Sequence, residues 1–129
     1  MELMESKDYL DLDPLPAKYA DYFTGPTGLR DLFPVEEPHS VSVLLVRFEP
    51  GARNAWHHHA GGQMLYVTEG EGYVQTRGEP PRRIKAGDVV SCPAGEEHRH
   101  GAGPDLPMTH LAVTLGEITW LEPSELRLP

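Results

Sequence analysis

Three consecutive histidines and a glutamine, in the segment WHHHAGGQ at residues 56–63, are the side chains whose types and spacing first suggest chemistry. If this run forms a β-strand, His57 and His59 share one face with Cα atoms about 6.6 Å apart, and His58 points to the other face. Two imidazoles at that spacing can bind one cation. A His-x-His pair alone is more often an exposed pair than a metal site, so the rest of the sequence has to distinguish the two.

Gln63 and His98 are the candidates for two further ligands. The pair Gly61-Gly62 can adopt the sharp or left-handed backbone that brings a new strand back beside the first, which would place the amide oxygen of Gln63 near the histidine pair. His98 follows the turn-rich segment CPAGEE, at the approach to another strand. Imidazole nitrogens together with one or two oxygen donors suit a divalent transition ion. These residue types therefore offer a candidate metal site.

His100 and His110 are candidate catalytic residues close to the same site. His100 lies two residues after His98, so in strand geometry it shares the inward face, and His110 shares a strand face with Ala112 and Thr114. A histidine with a pKa near 6.5 can exchange a proton near neutral pH, and a neighbouring cation keeps it available as a base. The alternative for both is a histidine that only lines the interior and has a satisfied hydrogen bond.

Short β-strands separated by glycine- and proline-rich turns are predicted to position these residues. The predicted strands are residues 40–48, 53–60, 64–69, 73–77, 82–85, 89–92, 108–115 and 118–121. Gly70-Glu71-Gly72 is predicted to be a hairpin turn between two of them. Trp56, Met64 and Tyr66 are expected to line or close the interior, or to belong to the core. Many short strands without a long helical pattern predict an antiparallel sandwich or a closed barrel.

The N-terminal segment, residues 1–24, has weak periodicity and prolines that break any long helix, so at most a short helical turn is expected within AKYADYF. Tyr19, Tyr22 and Phe23 would be costly to leave exposed. We therefore expect an arm at residues 1–24 that packs on the barrel or on a partner subunit, and a barrel at residues 25–129.

Composition narrows the partners and the cellular setting. The chain of 129 residues suits one domain, and its formal net charge of −9 opposes binding to nucleic acid or an anionic membrane, so we expect neither partner. Cys92 is the single cysteine and is expected to be a small buried residue. The N-terminus lacks a signal-peptide pattern and no apolar run approaches membrane-spanning length, which favours a cytoplasmic protein.

Two longer spacings resemble the motifs of the cupin family. The pattern G-x5-H-x-H-x3-Q-x6-G at residues 51–70 resembles the first cupin motif, and G-x5-P-x-G-x2-H at residues 87–98 resembles the second. The resemblance implies an all-β fold, an antiparallel double-stranded β-helix or jelly-roll barrel with one metal inside. The implied ligands are His57, His59, Gln63 and His98. The chain departs from the common pattern at Gln63, where Glu is usual, and at Ala102, where Asn is frequent.

A closer resemblance concerns the strings at residues 48–78 and 84–102. They are similar to small single-domain cupins described as carboxymuconolactone-decarboxylase-related, a group that includes manganese-dependent bacterial hydroxynitrile lyases. In that group Gln is a common metal ligand and the histidine of the MTH sequence lies in the cavity, which implies the same places for Gln63 and His110. The resemblance also implies a homodimer with the arm across the interface.

The leading hypothesis is therefore a metal-dependent enzyme that acts on a small oxygenated substrate, most specifically by cleaving a cyanohydrin into an aldehyde and cyanide. The metal acts as Lewis acid and His110 or His100 as base. Manganese is favoured, with iron, cobalt, nickel and zinc open because a His3Gln site accepts each of them. Alternatives are a decarboxylase, an isomerase, an iron-dependent dioxygenase, or a cupin that binds a metal or a small acid without catalysis. Since Gln63 is neutral, the site is expected to favour anions or hydroxide.

Overall fold

Antiparallel β-strands dominate the computed structural model of this protein, which describes residues 1–9, 11–32, 35, 39–124 and 127–129. The described part contains two short helical segments, α1 (Ser6–Tyr9) and a 3-10 helix (Ala17–Tyr22), and twelve strands. In chain order the strands are β1 (Asp13–Pro14), β2 (Phe23–Thr24), β3 (Thr27–Asp31), β4 (Val41–Phe48), β5 (Arg53–Asn54), β6 (His57–His59), β7 (Gln63–Thr76), β8 (Arg82–Lys85), β9 (Val89–Cys92), β10 (His98–Ala102), β11 (Met108–Leu115) and β12 (Ile118–Trp120). Neither helical segment has the length or apolar character needed to cross a membrane.

The described strands pair in the order β1-β3-β4-β11-β7-β10-β5-β2, with every pairing antiparallel. β6 pairs with β10 and β12, while β8 and β9 both pair with β7. The sheet curls so that the part containing β4, β11 and the start of β7 faces the part containing β6, β10 and the end of β7. The all-β jelly-roll barrel predicted from the sequence is confirmed.

β7 is the strand that joins the two halves of the barrel, and it corrects the predicted hairpin at Gly70-Glu71-Gly72, which is wrong. Residues 63–66 pair with β9 and β11, and residues 72–76 pair with β10, so the chain continues where a reversal was expected. Gly70 has φ +74 and bends the strand between these partners. Glycine and short polar residues mark a bent strand as readily as a turn, and only the pairing on each side distinguishes the two.

The predicted strand at residues 53–60 is also divided. β5 pairs with β2 and β10, β6 pairs with β10 and β12, and residues 55 and 56 separate them. Within β6 the expected alternation holds, because His57 and His59 are buried and His58 is half-buried on the other face. The break resets the alternation, so Asn54 faces the interior although an unbroken strand would turn it outward.

The inward faces of the strands form an apolar core and a cavity that shares Leu29, Val46 and Phe48 with it. The core cluster contains Leu29, Val46, Phe48, Ala52, Val67, Ile84, Ala102 and Met108. Along β11 the inward residues pass from the buried Met108 to His110 and Thr114, which line the cavity. The outward residues Met64 and Tyr66 on β7 are 46% and 43% exposed, so the expectation that they line the interior is wrong.

The N-terminal segment packs against the body of the same chain. β1 pairs with β3 and β2 pairs with β5, while the 3-10 helix falls in the segment AKYADYF where a helical turn was expected. The ring of Tyr22 stacks on Trp120 with centroids 4.7 Å apart, and Phe23 lies 5.9 Å from Phe48. The short helix α1 was not predicted, because four residues leave no periodic pattern. The division into an arm and a barrel at residue 24 stays a prediction.

We expect Gly70→Ala to destabilise the protein by on the order of 3 kcal/mol or more, measured by chemical denaturation. A Cβ at this position would lie 2.0 Å from the backbone oxygen of Pro107, and it would also sit at a φ of +74. Neither the adjacent strand nor the bend can move without loss of pairing.

Gly78→Ala is the matched control, because Gly78 has φ +87 but no heavy atom within 4 Å of an added Cβ. Gly78→Ala should lower the free energy of unfolding by the backbone strain alone, about 1 kcal/mol. Equal losses in the two variants would show that the close approach to Pro107 does not constrain β7.

Candidate metal centre and cavity

Five histidine rings gather on the inward faces of β6, β10 and β11. β6 and β10 are adjacent, with His98 directly opposite His57, so four of the rings share one sheet face and the fifth approaches from β11. None is more than 4% exposed. The five are His57, His59, His98, His100 and His110.

The rings of the predicted ligands lie close together. The centroid of His57 is 4.4 Å from that of His98 and 5.0 Å from that of His59, and the rings of His59 and His98 are 5.3 Å apart. His57, His98 and His100 each offer a nitrogen within 4.8 Å of those of the other two, and these three buried histidines could hold a metal ion. His100, predicted as a catalytic residue, therefore lies at the edge of the ligand cluster.

Gln63 and His98 present two hydrogen-bond acceptors to each other. His98 Nδ1 lies 3.0 Å from the carbonyl of Glu96, to which it donates, so a neutral ring carries its lone pair on Nε2. That Nε2 is 3.2 Å from Oε1 of Gln63, whose own Nε2 donates to Oγ1 of Thr114 at 2.9 Å. Two lone pairs facing each other repel unless a cation or proton lies near both. This arrangement fits a metal ion.

The remaining two predicted ligands also have lone pairs available. Nδ1 of His57 lies 2.8 Å from the carbonyl of Ala55, which leaves its Nε2 as the acceptor nitrogen. Both nitrogens of His59 are buried and have no hydrogen-bond partner among the described residues. An imidazole is rarely buried without a partner, and the lone pair of His59 is therefore available to a bound ion. The donor set therefore fits a divalent transition metal.

Burial lowers the pKa of all five histidines from the ordinary value of 6.5. The pKa of His59 and that of His110 fall to about 4, in both cases mainly through burial. Burial, and then the neighbouring His98, lower the pKa of His57 well below 6.5. Burial, and then the neighbouring His110, lower the pKa of His100 well below 6.5. Burial also lowers the pKa of His98. The rings are neutral at pH 7, which is the state that can bind a metal.

His100 and His110 form a hydrogen-bonded pair next to the ligand cluster. Nε2 of His110 lies 3.1 Å from Nδ1 of His100, and both rings pack on Phe48. One ring donates and the other accepts, so each fixes the tautomer of its partner. Nδ1 of His110 has no hydrogen-bond partner among the described residues. The structure thus brings both predicted catalytic histidines to one place.

Asn54 and Trp120 are site residues that the sequence did not reveal. Oδ1 of Asn54 accepts the backbone N–H of His100 at 2.9 Å, and its side chain is 2% exposed. Trp120, on β12, lies opposite His57 with ring centroids 4.8 Å apart. Strict alternation placed Asn54 outside, and an aromatic residue in a short terminal strand has no pattern that points to a cavity. Neither carried a sequence signal.

These groups, apart from His98, line one cavity of about 420 Å³. Its polar lining includes His57, His59, Gln63, His100, His110 and Asn54. Its apolar lining includes Phe23, Leu29, Leu44, Phe48, Ile118 and Trp120. A small molecule with a polar head and a hydrocarbon body matches this division.

Comparison with known proteins agrees with the geometry. The family model described as Cupin domain matches residues 44–114, more than half of the chain. The chain belongs to the cupin family. This cupin is 49% identical over 94 residues to the (R)-mandelonitrile lyase of Granulicella tundricola, an alignment that covers 73% of this chain and 72% of that protein.

Two solved structures show the same cupin architecture. A cupin-like protein from Thermotoga maritima superimposes with a TM-score of 0.77 at 42% identity, covering 82% of this chain and 84% of that one. The polyketide cyclase RemF from Streptomyces resistomycificus superimposes with a TM-score of 0.75 at 18% identity, covering 97% and 88%. At the lower identity the likeness concerns the fold alone.

We expect the metal-free cupin to lose stability as the pH falls from 7.5 to 5.5. Histidines of the unfolded chain take up protons near pH 6.5, whereas the buried rings, with their lowered pKa values, do not. The unfolded state then binds more protons than the folded state. Lowering the pH therefore decreases the free energy of unfolding, by about 1 kcal/mol for each ring that stays neutral. Denaturant titrations at several pH values measure this.

His58→Asn is the control for that pH dependence, because the side chain of His58 lies on the outer face of β6. The pH dependence of its free energy of unfolding should equal that of the unaltered protein. A free energy of unfolding that does not change between pH 7.5 and 5.5 would contradict the burial of neutral rings.

Proposed function

We propose that this cupin is a metal-dependent lyase that cleaves a cyanohydrin into an aldehyde and hydrogen cyanide. The observation that carries the proposal is the hydrogen-bonded pair of His100 and His110, which lines the same cavity as the candidate ligands His57, His59 and Gln63. The identity of 49% to an (R)-mandelonitrile lyase supports the reaction class. The proposed ligands are His57, His59, Gln63 and His98.

His59 is preferred to His100 as the third imidazole ligand for a structural reason. Nδ1 of His100 is already engaged by His110, and its backbone is held by Asn54. His59 has both nitrogens without a partner among the described residues. When bound, a divalent cation, for which we propose manganese, supplies Lewis acidity that polarises the substrate oxygen and stabilises negative charge on it.

The cavity lining leaves the charge of such a cation uncompensated. The four proposed ligands are neutral, and the one carboxylate among the described lining residues is Glu117, which is exposed. Anionic groups are therefore stabilised beside such a cation. An alkoxide forming from a cyanohydrin, and the cyanide that leaves it, are both anions of this kind.

His100 and His110 supply the proton transfer. One ring accepts the hydroxyl proton of the cyanohydrin, the O–H electrons form the carbonyl, and the carbon–cyanide bond breaks with its electron pair on cyanide. The same ring then returns the proton to cyanide, so atoms and charge balance. The hydrogen bond of 3.1 Å between the rings lets the second ring share the positive charge while the proton is held. The apolar wall around Phe48 and Trp120 excludes water from the exchange.

We also propose that the protein is a homodimer and that the outer face of β7, β9 and β11 forms the contact. Tyr66 lies directly opposite Val89, and Met64 lies opposite Val113 on the other side. Val89 is 62% exposed and Leu115 is 45% exposed, so several apolar side chains are exposed on this face. Apolar patches on adjacent strands mark association surfaces, and a second copy offers the same patch in return.

Manganese-loaded protein should release cyanide from mandelonitrile, and His110→Ala should lower kcat by roughly 100- to 10,000-fold because the proton acceptor is lost. Cyanide is measured by a colorimetric assay, and bound manganese by elemental analysis. His110→Ala should retain its manganese, whereas His98→Ala should lose it.

His58→Ala is the matched control, since it removes a histidine from the outer face and should change neither quantity. A fully manganese-loaded protein that releases no cyanide would refute the lyase proposal. Oxygen consumption by the iron-loaded protein would instead assign it to the dioxygenases.

The dimer is tested by Val89→Lys, which should convert a dimer into a monomer in light scattering coupled to size exclusion. Leu106→Lys is the control, because Leu106 is 47% exposed in the connection between β10 and β11. The homodimer proposal is wrong if the unaltered protein is a monomer, or if Val89→Lys leaves its mass unchanged.

A further inference from the structure

The side-chain amide of Gln63 has two possible orientations, with either its oxygen or its nitrogen towards His98, whereas a carboxylate presents an oxygen in both. Its oxygen and nitrogen ends have nearly the same shape, but only the oxygen can bind a cation. With the oxygen towards His98, the amide NH2 must find an acceptor elsewhere in a half-buried position. With the amide reversed, the NH2 would donate to Nε2 of His98 and occupy the space of the cation.

Thr114 supplies the acceptor for the amide NH2 of Gln63 when the amide oxygen faces His98. It lies directly opposite Gln63 across β11 and β7, and its Oγ1 accepts the amide N–H at 2.9 Å. Thr114 is 7% exposed, and its strand is paired on both sides, with β4 and with β7, so its hydroxyl has a fixed position. The oxygen of the amide is then held 3.2 Å from Nε2 of His98.

We propose that Thr114 is a positioning residue for the metal site: it supplies the acceptor that the Gln63 amide needs when its oxygen is turned to the cation. The inference rests on the proposed metal ligands and adds the group that makes a glutamine usable among them. Without the hydroxyl, the metal-bound orientation leaves a buried amide N–H unsatisfied, whereas the reversed amide of the metal-free protein still donates to His98 and loses only a donor to its carbonyl oxygen. Metal affinity falls because the bound state is penalised more.

A double-mutant comparison of manganese affinity separates this role from simple packing. Thr114→Val, which keeps the shape of the side chain, should weaken manganese binding by roughly 10- to 100-fold, and Thr114→Ser should restore it. In a Gln63→Glu background the same Thr114→Val change should have little effect. A carboxylate presents oxygen in either orientation and loses the hydroxyl equally with and without metal. Titration calorimetry on chelator-treated protein measures each dissociation constant.

Two results would overturn the inference. Thr114→Val could leave manganese affinity unchanged, or it could weaken binding equally in the Gln63 and Gln63→Glu backgrounds, which would indicate packing alone. Either result in a protein that binds manganese refutes the inference and leaves the metal site standing. Absence of manganese binding by the unaltered protein would refute the proposed metal site and the inference together.

Discussion

The burial of five neutral imidazoles against one another is the constraint on which the site depends. A buried ring whose pKa is lowered is neutral at pH 7, so it carries one N–H and one lone pair, and each of these needs a partner. His100 and His110 satisfy each other, and backbone carbonyls occupy one nitrogen of His57 and of His98. The rings of His57 and His98, each with a lone pair that remains, lie beside His59, which has no hydrogen-bond partner among the described residues. The histidines thus fall into a cluster that could hold a metal ion and a hydrogen-bonded pair.

The barrel meets this constraint through strands that approach the cavity from both sides. β6 and β10 carry four of the rings on one sheet face, while β7 and β11 bring Gln63, Thr114 and His110 from the other. β7 belongs to both halves because it bends at Gly70 without turning back. A hairpin at that point would separate Gln63 from the end of β7 that supports β10. The geometry of the ligands therefore depends on a strand that passes through the whole barrel.

Part of the apolar lining of the cavity comes from segments near the two ends of the sequence. Phe23 follows the 3-10 helix and packs on Phe48, while Trp120 packs between Tyr22 and His57. Two aromatic rings of this apolar lining touch the histidines, because Trp120 packs on His57 and Phe48 packs on His100 and His110. The apolar lining residues near the chain ends are therefore separate in sequence from the histidines with which they share the cavity.

The sequence by itself determined the period-two strands, the inward direction of His57, His59, His98, His100 and His110, and the cupin spacings, because strand alternation and motif spacing are local properties. It did not determine the path of the chain at Gly70, since a glycine permits a turn and a bend alike and the choice depends on which strands pair on each side. The roles of Asn54 and Trp120 follow from a broken strand and a distant pairing. Only the tertiary structure places Thr114 beside the amide of Gln63, because residues 51 positions apart become neighbours solely through the register of two strands.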